Sequence, residues 1–351
     1  MDLPNRLAHP GVTPGAPASV WTTQAARDRA EATWHALNQR LGLAVEPVTT
    51  HLLRARIEPN TARIVLRITP GDGPPLVYKQ TLAGASPAQF RAEVEAHHHM
   101  MQLFEGQAPL HVPDLIQADP DNQALIMDMT PGMTAQDALV LAETGAARHE
   151  ILQRCAGWMA FLHRQTATGT APFDPERMIL RGRRALTQLR QRIFDVPQRR
   201  RFVACARRAL DLAEQARGQP TTHAILHGDM NLRNLMLAPN GVWGLDFSAR
   251  QPGSIGQDLA RLLVNYGTFF FPPRAWQDPG ADWFREARTA LFDAYGPEHG
   301  SDPATAALIG LQILNDWRTI PRAPDARNVM HDRRWKGVQL MARAFLEDGG
   351  A

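Results

Sequence analysis

Three oxygen-bearing side chains at two short spacings constrain this chain more than any other feature. They are Asp229 in His227-Gly228-Asp229, Asn234 five residues later, and Asp246 in Gly244-Leu245-Asp246-Phe247-Ser248. Asn234-Leu235-Met236-Leu237 reads as a strand and Val242 to Phe247 as its partner. Between them lies Ala238-Pro239-Asn240-Gly241, whose Asn-Gly pair favours a tight hairpin turn. A hairpin running from Asn234 to Asp246 returns those two side chains to one edge. The apolar run Ala224-Ile225-Leu226 delivers His227 and Asp229 to the preceding loop. Asp and Asn also cap turns with no further role, but capping does not call for a second carboxylate at the hairpin's far end. Phosphoryl transfer from a nucleotide does. It needs one carboxylate to position an acceptor hydroxyl, and an amide plus a second carboxylate to hold Mg²⁺ against the phosphates.

A chain of 351 residues can hold one large domain or two lobes with substantial cores. Its 44% hydrophobic and 21% charged content argues against disorder as the default state. No apolar run is long enough to span a membrane and the N-terminus lacks a signal-peptide pattern, so a cytoplasmic protein is expected. Residues 1–20, with Pro4, Pro10, Pro14 and Pro17 and little periodicity, read as a flexible lead-in. Cys155 and Cys205 are too few for a disulfide framework and, in helical patterns, read as small buried hydrophobes. A net charge of +3 is too mild to recruit nucleic acid.

Ala30, Trp34, Leu37 and Leu41 recur with helical period up to Gly42. Three strands are expected next, His51–Ile57, Ala62–Thr69 and Leu76–Thr81, split by Glu58-Pro59-Asn60-Thr61 and by Pro70-Gly71-Asp72-Gly73-Pro74. The third contains Lys79. A helix from Pro87 to about Phe104 carries Glu93 and Glu95. Leu125 to Met129 forms another strand, closed by Pro131-Gly132, and beyond it the pattern is mostly helical apart from the hairpin.

His227-Gly228-Asp229-Met230-Asn231-Leu232-Arg233-Asn234, followed by Leu245-Asp246-Phe247, resembles the aminoglycoside phosphotransferase and choline kinase family of small-molecule kinases. The resemblance implies an α+β, two-lobed, protein-kinase-like fold. A small antiparallel-sheet N-lobe would span residues 21–130 and bind the nucleotide. A larger, mainly helical C-lobe would span 131–351 and carry the catalytic loop, the metal site and the acceptor site. Asp229 would be the catalytic base, Asn234 and Asp246 the Mg²⁺ ligands, and ATP or GTP the phosphate donor.

Lys79, one of only two lysines in the chain, would meet the phosphates, with a helix glutamate fixing its rotamer. Glu93 is preferred because it follows Phe90 by three residues, while Glu95 points elsewhere on the helix. Asp128 and Met129 match the segment that meets adenine through backbone groups. His227 and Asp258 would support the catalytic loop, Asp258 by accepting backbone hydrogen bonds. His163, at the end of a helix reading Ala156 to His163, would be structural.

Two features stand apart from the pattern. The turn at Glu58-Pro59-Asn60-Thr61 contains no glycine, where such kinases often cover the phosphates with a glycine-rich loop. His97, His98 and His99 diverge by about 100° per residue on a helix and cannot converge on one ion.

A protein kinase fits less well, because Asp258 follows Asp246 by only twelve positions and leaves no room for a long peptide-binding segment. A non-catalytic nucleotide-binding scaffold is the alternative from another class. The acceptor is read as a sugar, amino sugar or amino alcohol metabolite, neutral or anionic. No acidic surplus suited to a polycation is present: from Asn265 to Ala351 there are eleven acids and ten bases. From Arg177 to Arg208 there are eleven arginines and one acid, Asp195. Leu186, Leu189 and Ile193 mark an apolar stripe among them, as on a solvated helix face. The same segment is a candidate site for an anionic ligand.

Overall fold

The computed structural model describes residues 18–43, 47–247, 252–272, 275 and 282–347. The chain divides into two compact units, residues 1–131 and 132–351. Among the described residues no helix is long and apolar enough to cross a membrane.

The first unit opens with helix α1 (Thr23–Leu41). Thr22 caps it by accepting the Ala25 amide, and Gly42 ends it in the left-handed region at φ 62°, donating to Asn38. Of the expected lead-in, residues 1–17 lie outside the described residues. Ala18–Val20, however, form a 3₁₀ turn, and Ala18 and Trp21 are buried in the core, so this part is structure rather than tether.

Strands β1 (Val48–Glu58), β2 (Thr61–Pro70) and β3 (Leu76–Ala83) follow, then helix α2 (Pro87–Phe104). Strands β4 (Leu110–His111), β5 (Leu115–Asp119) and β6 (Ala124–Asp128) complete the unit. The sheet order is β1-β2-β3-β6-β5, every neighbouring pair antiparallel.

Alternation along β2 and β3 decides which face is covered by what. Ile64, Leu66, Ile68 and Tyr78 pack against Ala26, Ala30, Trp34 and Leu37 of α1, with the Trp34 and Tyr78 rings edge-on at 6.0 Å. Lys79, one residue on from Tyr78, therefore faces the opposite side, where Phe90 of α2 packs with Leu115 and Leu125.

The second unit holds β7 (Met133–Thr134), α3 (Ala135–Leu141), α4 (Gly145–Gln165), β8 (Gly169–Pro172), α5 (Glu176–Arg190), α6 (Arg199–Gln215) and β9 (Pro220–Ile225). The hairpin β10 (Leu235–Ala238) and β11 (Gly241–Gly244) comes next, then β12 (Pro252–Ser254) and helices α7 (Gly256–Phe269), α8 (Trp283–Tyr295), α9 (Pro303–Arg318) and α10 (Val329–Met341). Small residues let neighbouring elements approach α7. A Cβ on Gly256 would come 2.7 Å from the Thr305 hydroxyl, and one on Gly337 would come 2.3 Å from the Thr268 carbonyl.

Three expectations need correction. β5, and the antiparallel sheet β12-β9-β8, were not anticipated. Segments such as Gly169–Pro172 and Pro252–Ser254 are too short and too rich in Gly and Pro to show a period of two. The hairpin is also tighter than expected: pairing runs from Leu235–Gly244 to Ala238–Gly241, leaving Pro239 and Asn240 as the turn. Neither Asn240 nor Gly241 takes a positive φ. Pro239 presets its own φ near −65°, so this is not the mirror-image turn that an Asn-Gly pair favours.

Candidate active site

Helix α7 carries a polar stripe at spacings of three and seven, Asp258, Arg261 and Asn265, which share one helical face. All three reach the loop 227–234. Asp258 accepts the amides of His227 (2.6 Å) and Gly228 (3.2 Å). Arg261 donates to the Gly228 carbonyl, and the Asn265 Oδ1 accepts the Leu232 amide at 3.2 Å. The loop backbone is thereby pinned at both ends of the Asp229 residue. Gly228 sits at φ 80°, a conformation that disfavours any Cβ, which accounts for glycine between His227 and Asp229.

The buried Asp258 also meets His163 Nε2 at 3.2 Å, while His163 Nδ1 meets the Tyr295 hydroxyl at 2.7 Å. Burial alone would raise the Asp258 pKa. The hydrogen bond and charge of His163, with His227 and its amide, outweigh burial and hold the carboxyl below its ordinary value. His227 moves the other way: burial lowers its pKa, although the charges of Asp258, Asp246 and Asp229 oppose the shift. Its ring packs 5.1 Å from Phe247 and 6.1 Å from Trp158, so it is a neutral wedge under the loop.

Asp229 carries an exposed carboxylate, with the Arg261 guanidinium 3.4 Å away. Its carbonyl accepts the side-chain amides of Asn231 and Asn234, each at 2.8 Å. That bond engages the Asn234 side-chain nitrogen and leaves Oδ1 as the atom able to coordinate a cation. Asn234 is followed directly by β10, and its carbonyl accepts the Leu245 amide at 2.8 Å, extending the ladder one step beyond Gly244. The first part of the expected alignment therefore holds, while Asp246 lies two residues past the end of β11.

Asp246 stands in the left-handed region at φ 61°, where a non-glycine residue is strained unless its surroundings impose it. Gly244 backs onto the Trp158 ring so closely that a Cβ would lie 2.1 Å from it. This contact, with Phe247 stacked on the same ring, sets the direction in which the chain leaves β11. Ser248 lies outside the described residues.

In the first unit Lys79 is buried on the central strand β3, and its Nζ meets Glu93 Oε1 at 2.6 Å. Glu95 is exposed. The amides of Asp128 and Met129 donate to the carbonyls of Asp114 (3.0 Å) and Pro75 (3.2 Å). Both amides are thereby satisfied within the first unit. Burial, with Asp114 nearby, raises the Asp128 pKa. The turn after β1 has its glycine elsewhere: Gly84, at φ 90°, lets Asn60 O approach to 2.2 Å from where a Cβ would sit. His97 is buried against the Pro113 carbonyl at 2.8 Å, whereas His98 and His99 are exposed. Cys155 and Cys205 are buried thiols, each with its pKa pushed up to about 12 by burial.

The arginine segment does not act as one patch. Arg183 pairs with Glu214 and Arg201 with Glu347, Arg199 donates to the Leu189 carbonyl, and Asp195 pairs with Arg322 from outside the segment. Only Arg181 among the eleven lines a cavity of ≈ 320 Å³ that runs between α5, α6, α7 and α9 to Gly228 and Arg261. Arg261, Asn265 and Arg318 were missed from sequence. The spacing of Arg261 and Asn265 from Asp258 was the available signal for two of them.

A family model described as "Phosphotransferase enzyme family" matches residues 54–308. Among solved structures, a choline/ethanolamine kinase family protein from Mesorhizobium loti is similar at a TM-score of 0.55 and 18% identity, covering 90% of this chain and 95% of that one. A glucosamine kinase bound to glucosamine, ADP and inorganic phosphate scores 0.51 at 16% identity, with 88% and 82% covered. A thermostable mutant of an aminoglycoside phosphotransferase, in ternary complex with AMP-PNP and hygromycin B, scores 0.53 at 13% identity, with 87% and 97% covered. No curated protein matches the sequence. These likenesses establish a protein-kinase-like α+β fold, and with a family model covering most of its length, the chain belongs to the phosphotransferase enzyme family.

Proposed function

We propose that this protein transfers the γ-phosphate of ATP, or of GTP, to a hydroxyl of a small molecule such as a sugar, amino sugar or amino alcohol. The observation that carries the reading is the exposed Asp229 carboxylate on a loop whose backbone is pinned by Asp258, Arg261 and Asn265. A rigidly held carboxylate can accept the acceptor's O–H hydrogen bond and take the proton as that oxygen bonds to phosphorus. The bond from phosphorus to the oxygen of the nucleoside diphosphate breaks in the same displacement. Arg261 keeps the carboxylate oriented and offers positive charge beside it.

Asn234 Oδ1 and the Asp246 carboxylate are hard oxygen donors at the two ends of one hairpin, a donor set that fits Mg²⁺. When bound there, Mg²⁺ supplies neutralisation of charge on the phosphate oxygens. In the first unit, Glu93 holds the Lys79 ammonium in one rotamer, ready for the phosphates. On this reading residues 21–130 form the nucleotide-binding lobe and 131–351 the catalytic and acceptor lobe. Adenine nucleotides in two of the similar structures support ATP as donor.

The test is ADP release from Mg-ATP by the purified protein over a panel of hydroxylated metabolites. Acceptor-stimulated release that disappears in Asp229→Asn is expected. Tight nucleotide binding with no stimulation by any acceptor would favour the scaffold alternative.

A further inference from the structure

We infer that the acceptor is an amphipathic anion, a hydroxyl compound carrying both an apolar body and a carboxylate or phosphate-like group, seated in the cavity between α5, α6, α7 and α9. The inference rests on the reading of Asp229 as the catalytic base. The cavity's ≈ 320 Å³ is within the range of small-molecule sites, on the order of 300–1,000 Å³. It reaches the catalytic loop, because Gly228 and Arg261 both line it.

Its walls are dominated by apolar side chains, among them Met178, Leu186, Phe202, Leu210, Leu226 and Leu308. A polyhydroxylated cation would gain little from such walls and would leave its polar groups unpaired. An aryl or alkyl body would instead be drawn there by burial of apolar area.

Three of the four charged side chains that line the cavity are cations. Arg181, Arg261 and Arg318 come from three different helices and line the same space. Arg181 has no hydrogen-bond or ion-pair partner among the described residues, and Arg318 lies over the Phe194 ring at 5.0 Å without a carboxylate partner among them. The only lining carboxylate, Asp258, is already engaged by the amides of His227 and Gly228 and by His163. The neighbouring Asp316 does not line the cavity and is bonded by Gln312 and Thr268. With Arg181 and Arg318 left to take a ligand, and no lining carboxylate left to take one, the pocket selects an anion and rejects an ammonium, which narrows the acceptors proposed above to sugar, amino sugar or amino alcohol derivatives without a free amine.

Three matched probes test this: 4-nitrophenyl β-glucuronide, the corresponding glucoside, and its 6-amino-6-deoxy analogue. They share an aryl body and ring hydroxyls and differ only in carrying a carboxylate, a hydroxymethyl or an ammonium. Binding is read by calorimetry on the wild type, on Asp229→Asn and on the double variant Arg181→Gln/Arg318→Gln, with thermal melting to verify folding.

The carboxylate probe is expected to bind about tenfold more tightly than the neutral one, with the ammonium probe weakest. The double arginine variant should lose about tenfold for the carboxylate probe and keep the neutral one within about twofold. Equal affinities, a preference for the ammonium, an unaltered double variant, or no measurable binding of the carboxylate probe at millimolar concentration would each overturn the inference. Charge-selective binding without ADP release would support the pocket's chemistry while counting against Asp229 as base.

Discussion

The suspension of the loop 227–234 from α7 makes Asp258 the most informative residue to perturb. Its two oxygens take three donors: the amides of His227 and Gly228, and His163 Nε2. In Asp258→Ala all three lose their acceptor. His163 can recover by changing tautomer and donating from Nδ1 to Tyr295, so its share is small. The two amides have no such option, and an orphaned buried donor costs about 1–3 kcal/mol. Removing a buried carboxylate returns part of that, because its desolvation is no longer required. The net loss expected is about 2–4 kcal/mol of folding stability.

Asp258→Asn keeps one acceptor oxygen and should lose about 1–2 kcal/mol, the difference between charged and neutral hydrogen bonds. The functional effect should be larger than the stability effect. Releasing the Gly228 end of the loop displaces Asp229, and a misplacement of about 1 Å costs on the order of 10²-fold in rate. Urea unfolding gives the first quantity and steady-state ADP release the second. An alanine variant within about 0.5 kcal/mol of wild type, turning over normally, would refute the claim that α7 positions the loop.

Asp229→Asn should cut kcat by about 10²–10⁴ while leaving nucleotide affinity near wild type, as measured by turnover and nucleotide titration. Asn234→Ala and Asp246→Ala should each weaken Mg-ATP binding in calorimetry and shift the Mg²⁺ optimum upward, since each removes an oxygen from a cation with few protein ligands. Lys79→Ala should raise the KM for ATP about tenfold or more, with little effect on acceptor binding, because it removes the cation that Glu93 holds in place. Stability should fall in acid through two windows. His227, depressed below 6.5 by burial, costs stability as pH drops from 6.5 towards its folded value, because only the unfolded chain protonates there. Asp258, depressed below 3.8, contributes stability that is present above 3.8 and is lost as pH falls through its folded value. Urea midpoints across this range check both.

Much of this was legible because chemistry and fold use the same residues locally. The helix ending at Gly42 and the alternation around Lys79 each announce themselves within about ten residues, through period and capping. The loop 227–234 does so too, because its polar residues follow one another closely in sequence. The short strands of the β12-β9-β8 sheet were not legible, since four residues of Gly169-Thr170-Ala171-Pro172 show no period. That the amides of Asp128 and Met129 are engaged was not legible either: their acceptors, Asp114 and Pro75, lie on other segments whose approach only the sheet register reveals. The hairpin turn shows a local conflict settled locally, with Pro239 fixing the backbone before Asn240-Gly241 could express its own preference.

The arginines show where linear reading stops. Eleven of them crowd one stretch of sequence, yet helices α5 and α6 turn successive side chains through about 100° each and scatter them. Some meet Glu214 or Glu347, one caps the Leu189 carbonyl, and Arg181 alone enters the cavity. Its companions there, Arg261 and Arg318, come from helices with no such cluster. On the proposed reading, the charge that meets the acceptor is assembled from three helices, whereas Asp229, Asn234 and Asp246 sit on or beside one short loop and hairpin. Substitutions on α5 or α9 can therefore alter which acceptor is held without moving the Asp229 loop, which hangs from α7.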